Sequence, residues 1–250
     1  MIIDIHAHFG EWLSSSRRDT PERFIRVLDR FEIDASIVSS GRAILYDVTS
    51  GNEEVALLVE RDPRIYGAVV INPHHHDASM ADLDCYGANG RFVAVKFHPD
   101  YAGAPADSPL NITLIRRAAE LGLPLLLHTW GDAEVESAAA VARMLPEMPI
   151  FLFHMGGNAW RLAITRAREH SNLNLEIVST IPEPLRIRQA VEVLGAERVF
   201  FGTDMTLFTP AYALGLLDAA GLDEDDRLKI LGLNAMRFFR VPGGRPKETR

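Results

Sequence analysis

The sequence predicts an α/β fold, a (β/α)8 or TIM barrel, and three observations carry that reading. Short apolar runs of strand length recur along the chain, their spacing leaves room for a helix, and the spacers bear helix start and stop signals. The runs lie at 2–5, 35–38, 65–71, 92–97, 123–127, 150–153, 173–178 and 199–201. Their starts are about 23 to 33 residues apart, which accommodates one helix and two loops, the requirement of a right-handed parallel crossover. Runs that are apolar through most of their length suit strands covered on both faces, and eight of them close a barrel whose interior side chains can fill.

The spacers justify themselves one by one. Thr20 and Pro21 open the first helix as N-cap and first-turn proline, with Phe24, Val27 and Phe31 on one face. A helix over 52–62 serves the second unit. The third is the weakest, because His74, His75 and His76 lead into a poorly periodic stretch up to Gly90. Ser108 and Pro109 start the fourth helix, whose buried stripe is Ile115, Ala118 and Leu121 and whose stop is Gly122. Asp132 caps the fifth, which buries Val135, Ala139, Ala142 and Leu145 before Pro146. Further helices are expected over 159–170, 183–194 and 210–219, an additional C-terminal helix over 223–239, and a frayed tail over 242–250. No linker, identical repeat or low-complexity block divides residues 1–250, so a single domain is expected.

Composition narrows the function. An apolar share of 47% and a charged share of 24% suit a folded core, and the net charge of −8 argues against a nucleic-acid partner, which a basic surface would serve. The single cysteine, Cys85, excludes an intramolecular disulfide and a Cys-rich zinc site, so any metal must be held by histidines and carboxylates. It also fits a reducing compartment. No stretch approaches about 18 apolar residues, and the opening Met1-Ile2-Ile3-Asp4-Ile5-His6 lacks a basic leader, so the expectation is a cytoplasmic protein with no membrane partner. A homo-oligomer is compatible with the sequence. Only Lys96, Lys229 and Lys247 are lysines among 26 basic residues, which gives each of them weight.

In such a barrel the active site lies at the C-terminal ends of the strands. There the first run ends Ile5-His6-Ala7-His8, the fourth Val95-Lys96-Phe97-His98, the fifth Leu127-His128, the sixth Phe153-His154 and the eighth Gly202-Thr203-Asp204. Strand alternation puts His6 and His8 on one face, and Lys96 and His98 on one face. A lone histidine at a strand end is more often a hydrogen-bonded wall residue than a ligand, but a His-x-His pair, two further histidines and an aspartate together form the inventory of a catalytic divalent-metal site.

These motifs, in this order, resemble the amidohydrolase superfamily, in its amidohydrolase-related branch that includes aminocarboxymuconate semialdehyde decarboxylase. The resemblance covers nearly the whole chain, from Asp4-Ile5-His6-Ala7-His8 through Val95-Lys96-Phe97-His98-Pro99, Leu127-His128, Phe153-His154-Met155-Gly156-Gly157 and Phe201-Gly202-Thr203-Asp204 to the closing stretch 230–239. It implies a distorted barrel with His6, His8, His128 and Asp204 as ligands of one divalent ion, zinc first and manganese or iron as alternatives. It implies His154 as the acid/base residue, and Asp204 as a second catalytic group accepting a proton from bound water. Binuclear members carry a carboxylated lysine at the place of Lys96; in that version two metals are bound and His154 becomes a ligand. Otherwise Lys96 is a substrate-binding cation or a wall residue, and one metal is the favoured expectation. Metal-dependent deoxyribonucleases with a similar barrel are disfavoured, since Lys96 stands where a glutamate is expected.

The activity expected first is hydrolysis of a small amide, lactone or related substrate by metal-activated water. The alternative is non-oxidative decarboxylation of a small unsaturated or aromatic acid on the same ligands, and a barrel binding ligands without turnover comes third. Residues expected around the substrate are His98, Arg42 as a carboxylate clamp, and Trp130 as a packing surface, each with an equally simple structural role. The His74–His76 run is expected to be an exposed loop and Glu176 a solvent-facing residue.

Overall fold

The apolar runs pair as eight parallel strands in chain order, β1 to β8, each hydrogen-bonded to the next. The computed structural model describes residues 1–12, 19–239 and 241; the tail expected over 242–250 lies outside the described residues. In order the elements are β1 (Ile3–Phe9), α1 (Pro21–Arg30), β2 (Ala35–Ser40), α2 (Gly41–Leu45), α3 (Val48–Val59), β3 (Ile65–Val70), α4 (His76–Tyr86), β4 (Phe92–Phe97), α5 (Pro99–Ala102) and α6 (Pro109–Glu120). There follow β5 (Leu125–His128), α7 (Asp132–Met144), β6 (Ile150–Phe153), α8 (Trp160–Glu169), β7 (Leu173–Glu176), α9 (Leu185–Leu194), β8 (Val199–Phe200), α10 (Pro210–Ala219), α11 (Glu224–Leu228) and α12 (Asn234–Phe239). The ring closes through the backbone. Ile5 N–H donates to the Phe201 carbonyl at 3.1 Å, Asp204 N–H donates to that of His6 at 2.7 Å, and Ala7 bridges Met205 in parallel. The predicted (β/α)8 barrel is the fold.

Two apolar layers follow from strand alternation. Ile3, Ile5, Ala35, Ile37, Ala68, Ala94, Leu126, Phe151, Phe153 and Phe200 fill the interior. Their neighbours along the strands, including Val38, Val69, Val95, Leu125, Leu127, Ile150 and Leu152, face the helical ring, where Phe24, Leu28, Leu114, Ile115 and Val135 cover them. The chain end plugs the N-terminal mouth: the ring of Phe151 lies 5.0 Å from Phe238 and 5.2 Å from Phe239 of α12. Phe151→Ala is expected to cost about 3–5 kcal/mol, because it empties the centre of that plug. A denaturant midpoint unchanged from the parent would contradict it.

Several local expectations need correction. Thr20 does cap α1, accepting from Arg23 N at 3.3 Å. Asp132 instead begins α7 after Gly131, and neither Asp132 nor Ser108 makes a side-chain cap, so their value is negative charge and turn geometry rather than a cap bond. The weak third unit contains a full helix, α4. Its periodicity is blurred because Ser79 and Asp82 are buried on the face where apolar residues were sought: Ser79 Oγ accepts from Asn72 N at 2.9 Å, and Asp82 accepts from Asn52 Nδ2 at 2.8 Å. The C-terminal helix runs through a wider turn at Lys229–Leu233 between α11 and α12.

Candidate metal centre

At β1 a register shift between Asp4 and Ala7 breaks the alternation. Ile3 and Ile5 pack inside the barrel, Ala7 and Phe9 pack outside it, and His6 and His8 are thereby turned into the C-terminal mouth. A bulge that re-aims a side chain beside an active site is a common use of such an irregularity. Asp4, fully buried, secures it: Asp4 Oδ1 accepts from His6 N at 3.0 Å and Thr203 N at 3.0 Å, and Asp4 Oδ2 accepts from Thr203 Oγ1 at 2.6 Å. Burial pushes the Asp4 carboxyl up to about 7, against those three bonds. Thr203 in turn fixes the start of Asp204, which has a left-handed φ of 53°.

The result is a triangle of lone-pair atoms. His6 Nε2 is 3.2 Å from His8 Nε2 and 3.4 Å from Asp204 Oδ1, and His8 Nε2 is 3.1 Å from Asp204 Oδ1. Both imidazoles are held from behind. His6 Nδ1 donates to Glu176 Oε2 at 2.9 Å, and His8 Nδ1 donates to Ser39 Oγ at 3.0 Å, whose own proton is directed at the Ala7 carbonyl. With the ring protons so committed, both Nε2 atoms face Asp204 bare, and Asp204 Oδ1 is buried without a hydrogen-bond partner. Three unshielded lone pairs in a buried space repel unless a cation lies among them. Ligand atoms about 2.1 Å from one divalent ion stand roughly 3.0–3.4 Å apart, the separations seen here. The donor set therefore fits a divalent metal; among the described residues His6, His8 and Asp204 form one of three such groupings, beside His6, His154 and Glu176, and His98, Asp100 and His128.

Electrostatics agree. Burial holds His6 well below the usual histidine range, with Lys96 adding to it, and burial lowers His8 as well. Burial would raise Asp204, but His8, His154 and Lys96 hold it below the ordinary carboxylate value. Since lowered histidines stay neutral, protonation of His6 and His8 is not expected to compete with the metal between about pH 8 and 6. Nitrogen NMR shifts of these two rings that titrate within that window in the metal-free protein would contradict the assignment.

Glu176 ends β7 and is fully buried, which corrects the expectation that it faces solvent. Its Oε2 accepts from His6 Nδ1 and from His154 N, and its Oε1 accepts from Val178 N. Burial pushes this carboxyl well above its usual range, while the N–H bonds favour its ionised form. A cation at the triangle favours ionised Glu176, the Nδ1–H tautomer of His6 and bare Nε2 together. There is no room beside it: a Cβ on Gly202 would lie 2.7 Å from the Glu176 carboxyl carbon and from His6 Cβ. Glu176→Gln is expected to weaken manganese binding about tenfold to a hundredfold. Unchanged affinity in a calorimetric titration would remove Glu176 from the site.

His154 stands just past β6 with a left-handed φ of 64° and is followed by Met155, Gly156 and Gly157, all with positive φ. Gly157 is required, since a Cβ there would meet Trp130 at 2.7 Å. His154 Nδ1 donates to the Val178 carbonyl at 3.1 Å, leaving Nε2 to the cavity the ring lines. Burial pushes His154 down to about 3, so it is a neutral proton acceptor.

The cavity, about 350 Å3, is walled by Trp12, Tyr101, Trp130 and Leu207 and by His98 and His128, with His8, His154, Asp100 and Asp204 completing it. His128 is placed on that wall rather than at the triangle. Its ring stacks on His98 at 3.7 Å and 14°, and its Nε2 lies 3.3 Å from Asp100 Oδ2. His98 and Trp130 line the cavity, the latter 5.5 Å edge-on to His154. Arg42 is not brought to this cavity. Its Nε lies 3.8 Å from Glu54 Oε2 and its guanidinium carbon 6.0 Å from the Tyr46 ring, so the expected carboxylate clamp is instead part of the α2–α3 corner. Lys96 is fully buried beneath the cavity, Nζ 4.1 Å over the Phe153 ring and without a hydrogen-bond partner, and burial lowers it to about 7. The expected histidine loop is instead a single helical turn over Pro73–His75 that leads into α4: His74 and His75 are exposed, His74 Nε2 bonds the Ala102 carbonyl, and His76, the first residue of α4, bonds Thr113 Oγ1 through Nε2.

The sequence reading missed Glu176, Ser39, Asp100, Trp12 and Tyr101. Parity identifies the first: with Leu173 and Leu175 facing the helices, Asn174 and Glu176 must face inward.

The family model for amidohydrolases matches residues 3–241. No match was found among curated protein sequences. Among solved structures, a dihydroxybenzoic acid decarboxylase from Polaromonas sp. with bound manganese superposes with a TM-score of 0.76 at 18% identity, covering 97% of this chain and 98% of that one. A 5-carboxyvanillate decarboxylase from Sphingomonas paucimobilis gives 0.77 at 16%, covering 96% and 99%. A probable 2-pyrone-4,6-dicarboxylic acid hydrolase from Acinetobacter baumannii gives 0.72 at 16%, covering 96% and 99%. At these identities the likeness is one of fold. No helix among the described residues is long and apolar enough to cross a membrane.

Proposed function

The chain belongs to the amidohydrolase family, and on that premise we propose that it is a metal-dependent decarboxylase of a small aromatic or otherwise unsaturated carboxylic acid. The observation that carries the proposal is the triangle of His6 Nε2, His8 Nε2 and Asp204 Oδ1 at the floor of an aromatic-walled cavity, with the neutral His154 beside it. The similar structures, decarboxylases in the majority, reverse the order expected from sequence, in which hydrolysis came first, and several of them, with bound manganese, support manganese ahead of the zinc expected first. His128, across the same cavity, is proposed as the fourth protein donor.

When bound, the divalent ion supplies a fixed positive charge that orients the carboxylate and an adjacent oxygen and offsets developing negative charge. Every other part is played by side chains of this chain. Trp12, Tyr101 and Trp130 offer flat faces to a planar ring and keep water away. His154 Nε2, with Nδ1–H fixed on Val178, takes a proton from the substrate's hydroxyl or from water and returns it to the carbon that loses carbon dioxide. The carbon–carbon bond to the carboxylate breaks as the carbon–hydrogen bond forms, with net uptake of one proton. Glu176 and Ser39 hold the two ligand rings throughout.

The test is carbon dioxide release from hydroxybenzoates and related unsaturated acids by manganese-loaded protein, before and after chelation. Release that chelator abolishes and manganese restores is the expected result. Consumption of lactones or amides without carbon dioxide release would replace decarboxylation by the hydrolysis of the second reading, for which the hydrolase neighbour is the support.

A further inference from the structure

One large charged side chain is fully buried close to the metal centre yet has no part in holding the ion. Arg186, in α9, reaches beneath the ends of β6 and β7. Its Nη2 donates to the Ile177 carbonyl and its Nη1 to the His154 carbonyl at 3.4 Å, while Nε has no partner. A guanidinium cannot shed its proton in a protein, so a buried one carries its charge and needs acceptors and a counter-charge. Both acceptors belong to the two segments that shape the proton-transfer residue, and the opposing charge that acts on it most strongly is Glu176.

Taken together, the contacts of His154 define it completely from one side. Its N–H donates to Glu176 Oε2 at 3.2 Å, its carbonyl accepts from Arg186, and its imidazole Nδ1 donates to Val178 O. Ile177, between Glu176 and Val178, is the other residue Arg186 grips. The left-handed φ of His154 and of Met155 is a conformation that non-glycine residues hold only where the surroundings over-determine it. A single ammonium cannot reproduce the planar fork that spans two carbonyls.

We infer that Arg186 is a positioning residue: by clamping the His154 and Ile177 carbonyls together it holds the His154 turn against β7, so that Nδ1–H stays on Val178 and Nε2 stays on the cavity. The inference rests on reading His154 as the proton-transfer residue, and it adds a second arm to the device in which Glu176 acts on the ligand His6.

The test uses Arg186→Met and Arg186→Lys in the full chain, loaded with zinc for nitrogen NMR and with manganese for kinetics. His154 is identified by the resonances missing in His154→Asn. In the parent, the His154 nitrogen shifts should be those of a single Nδ1–H tautomer. In Arg186→Met they should move toward a mixture of tautomers, with those of His8 unchanged, and kcat should fall about tenfold to a hundredfold with KM within about twofold. Arg186→Lys should show the same changes to a smaller degree, and it decides the matter if the methionine variant does not fold. Parent-like His154 shifts in a folded variant, with only a lowered Tm, would reduce Arg186 to a stabilising residue and overturn the inference. If the parent releases no carbon dioxide, the proposed function fails, and the nitrogen shifts still decide the role of Arg186.

Discussion

Asp204→Asn is expected to remove the metal and with it all turnover. Asp204 Oδ1 is the one anionic corner of the triangle, buried with two bare imidazole nitrogens 3.1 and 3.4 Å away. The amide keeps the shape and loses the charge, so the variant offers a dication three neutral donors at most from that face. A loss of at least about a thousandfold in affinity is expected, roughly 4 kcal/mol. Elemental analysis after dialysis should give a metal content near zero for the variant. Thermal denaturation gives an independent readout: an ion at about a hundred times its dissociation constant stabilises the parent by about 2.7 kcal/mol, a shift of several degrees in Tm that the variant should not show. Equal metal content in the two proteins would sink the triangle as the binding site. It would turn attention to the other close grouping in the cavity, His98, Asp100 and His128.

The barrel was legible because each buried parallel strand falls in a run that is apolar through most of its length, and because Thr20-Pro21 and the Gly122 and Pro146 stops punctuate the helices. What escaped were elements whose stability comes from polar contacts. The helix α4 hides behind buried Ser79 and Asp82, and the short α2 and α5 have too few residues to show a period. The site was legible at its strand-end histidines and at Asp204, and two features limited the reading. A bulge in β1 uncouples His6 from the parity of Ile5, which no pattern of alternation reports. Charged residues inside an apolar run, Glu176 above all, resemble surface residues until the inward parity of β7 is followed through Asn174. Arg42 misled for the opposite reason. An arginine just beyond a strand end carries no sign of whether its partner is a substrate or, as here, Glu54.

His154→Asn separates proton transfer from metal binding. The asparagine amide can still donate to the Val178 carbonyl, so the turn is expected to keep its shape, while the proton-accepting Nε2 disappears. Manganese content should remain that of the parent, and kcat should fall by about 10²–10⁴, the usual contribution of a positioned acid/base, or roughly 3–5 kcal/mol of barrier. The pH profile adds a sign that can be checked. Burial pushes His154 down to about 3, so the free enzyme holds it as an acceptor from about pH 5 upward. The acid limb of kcat/KM between pH 5 and 8, by this argument, should not belong to His154, and a nearby dication depresses the ring further in the same direction. An apparent pKa near 6.5 that vanishes in His154→Asn would mean that water reaches the ring and that the cavity is more open than its aromatic walls imply. Loss of half the metal in this variant would instead make His154 a ligand of a second ion. Lys96, buried and unpartnered over Phe153, would then be the residue to substitute next.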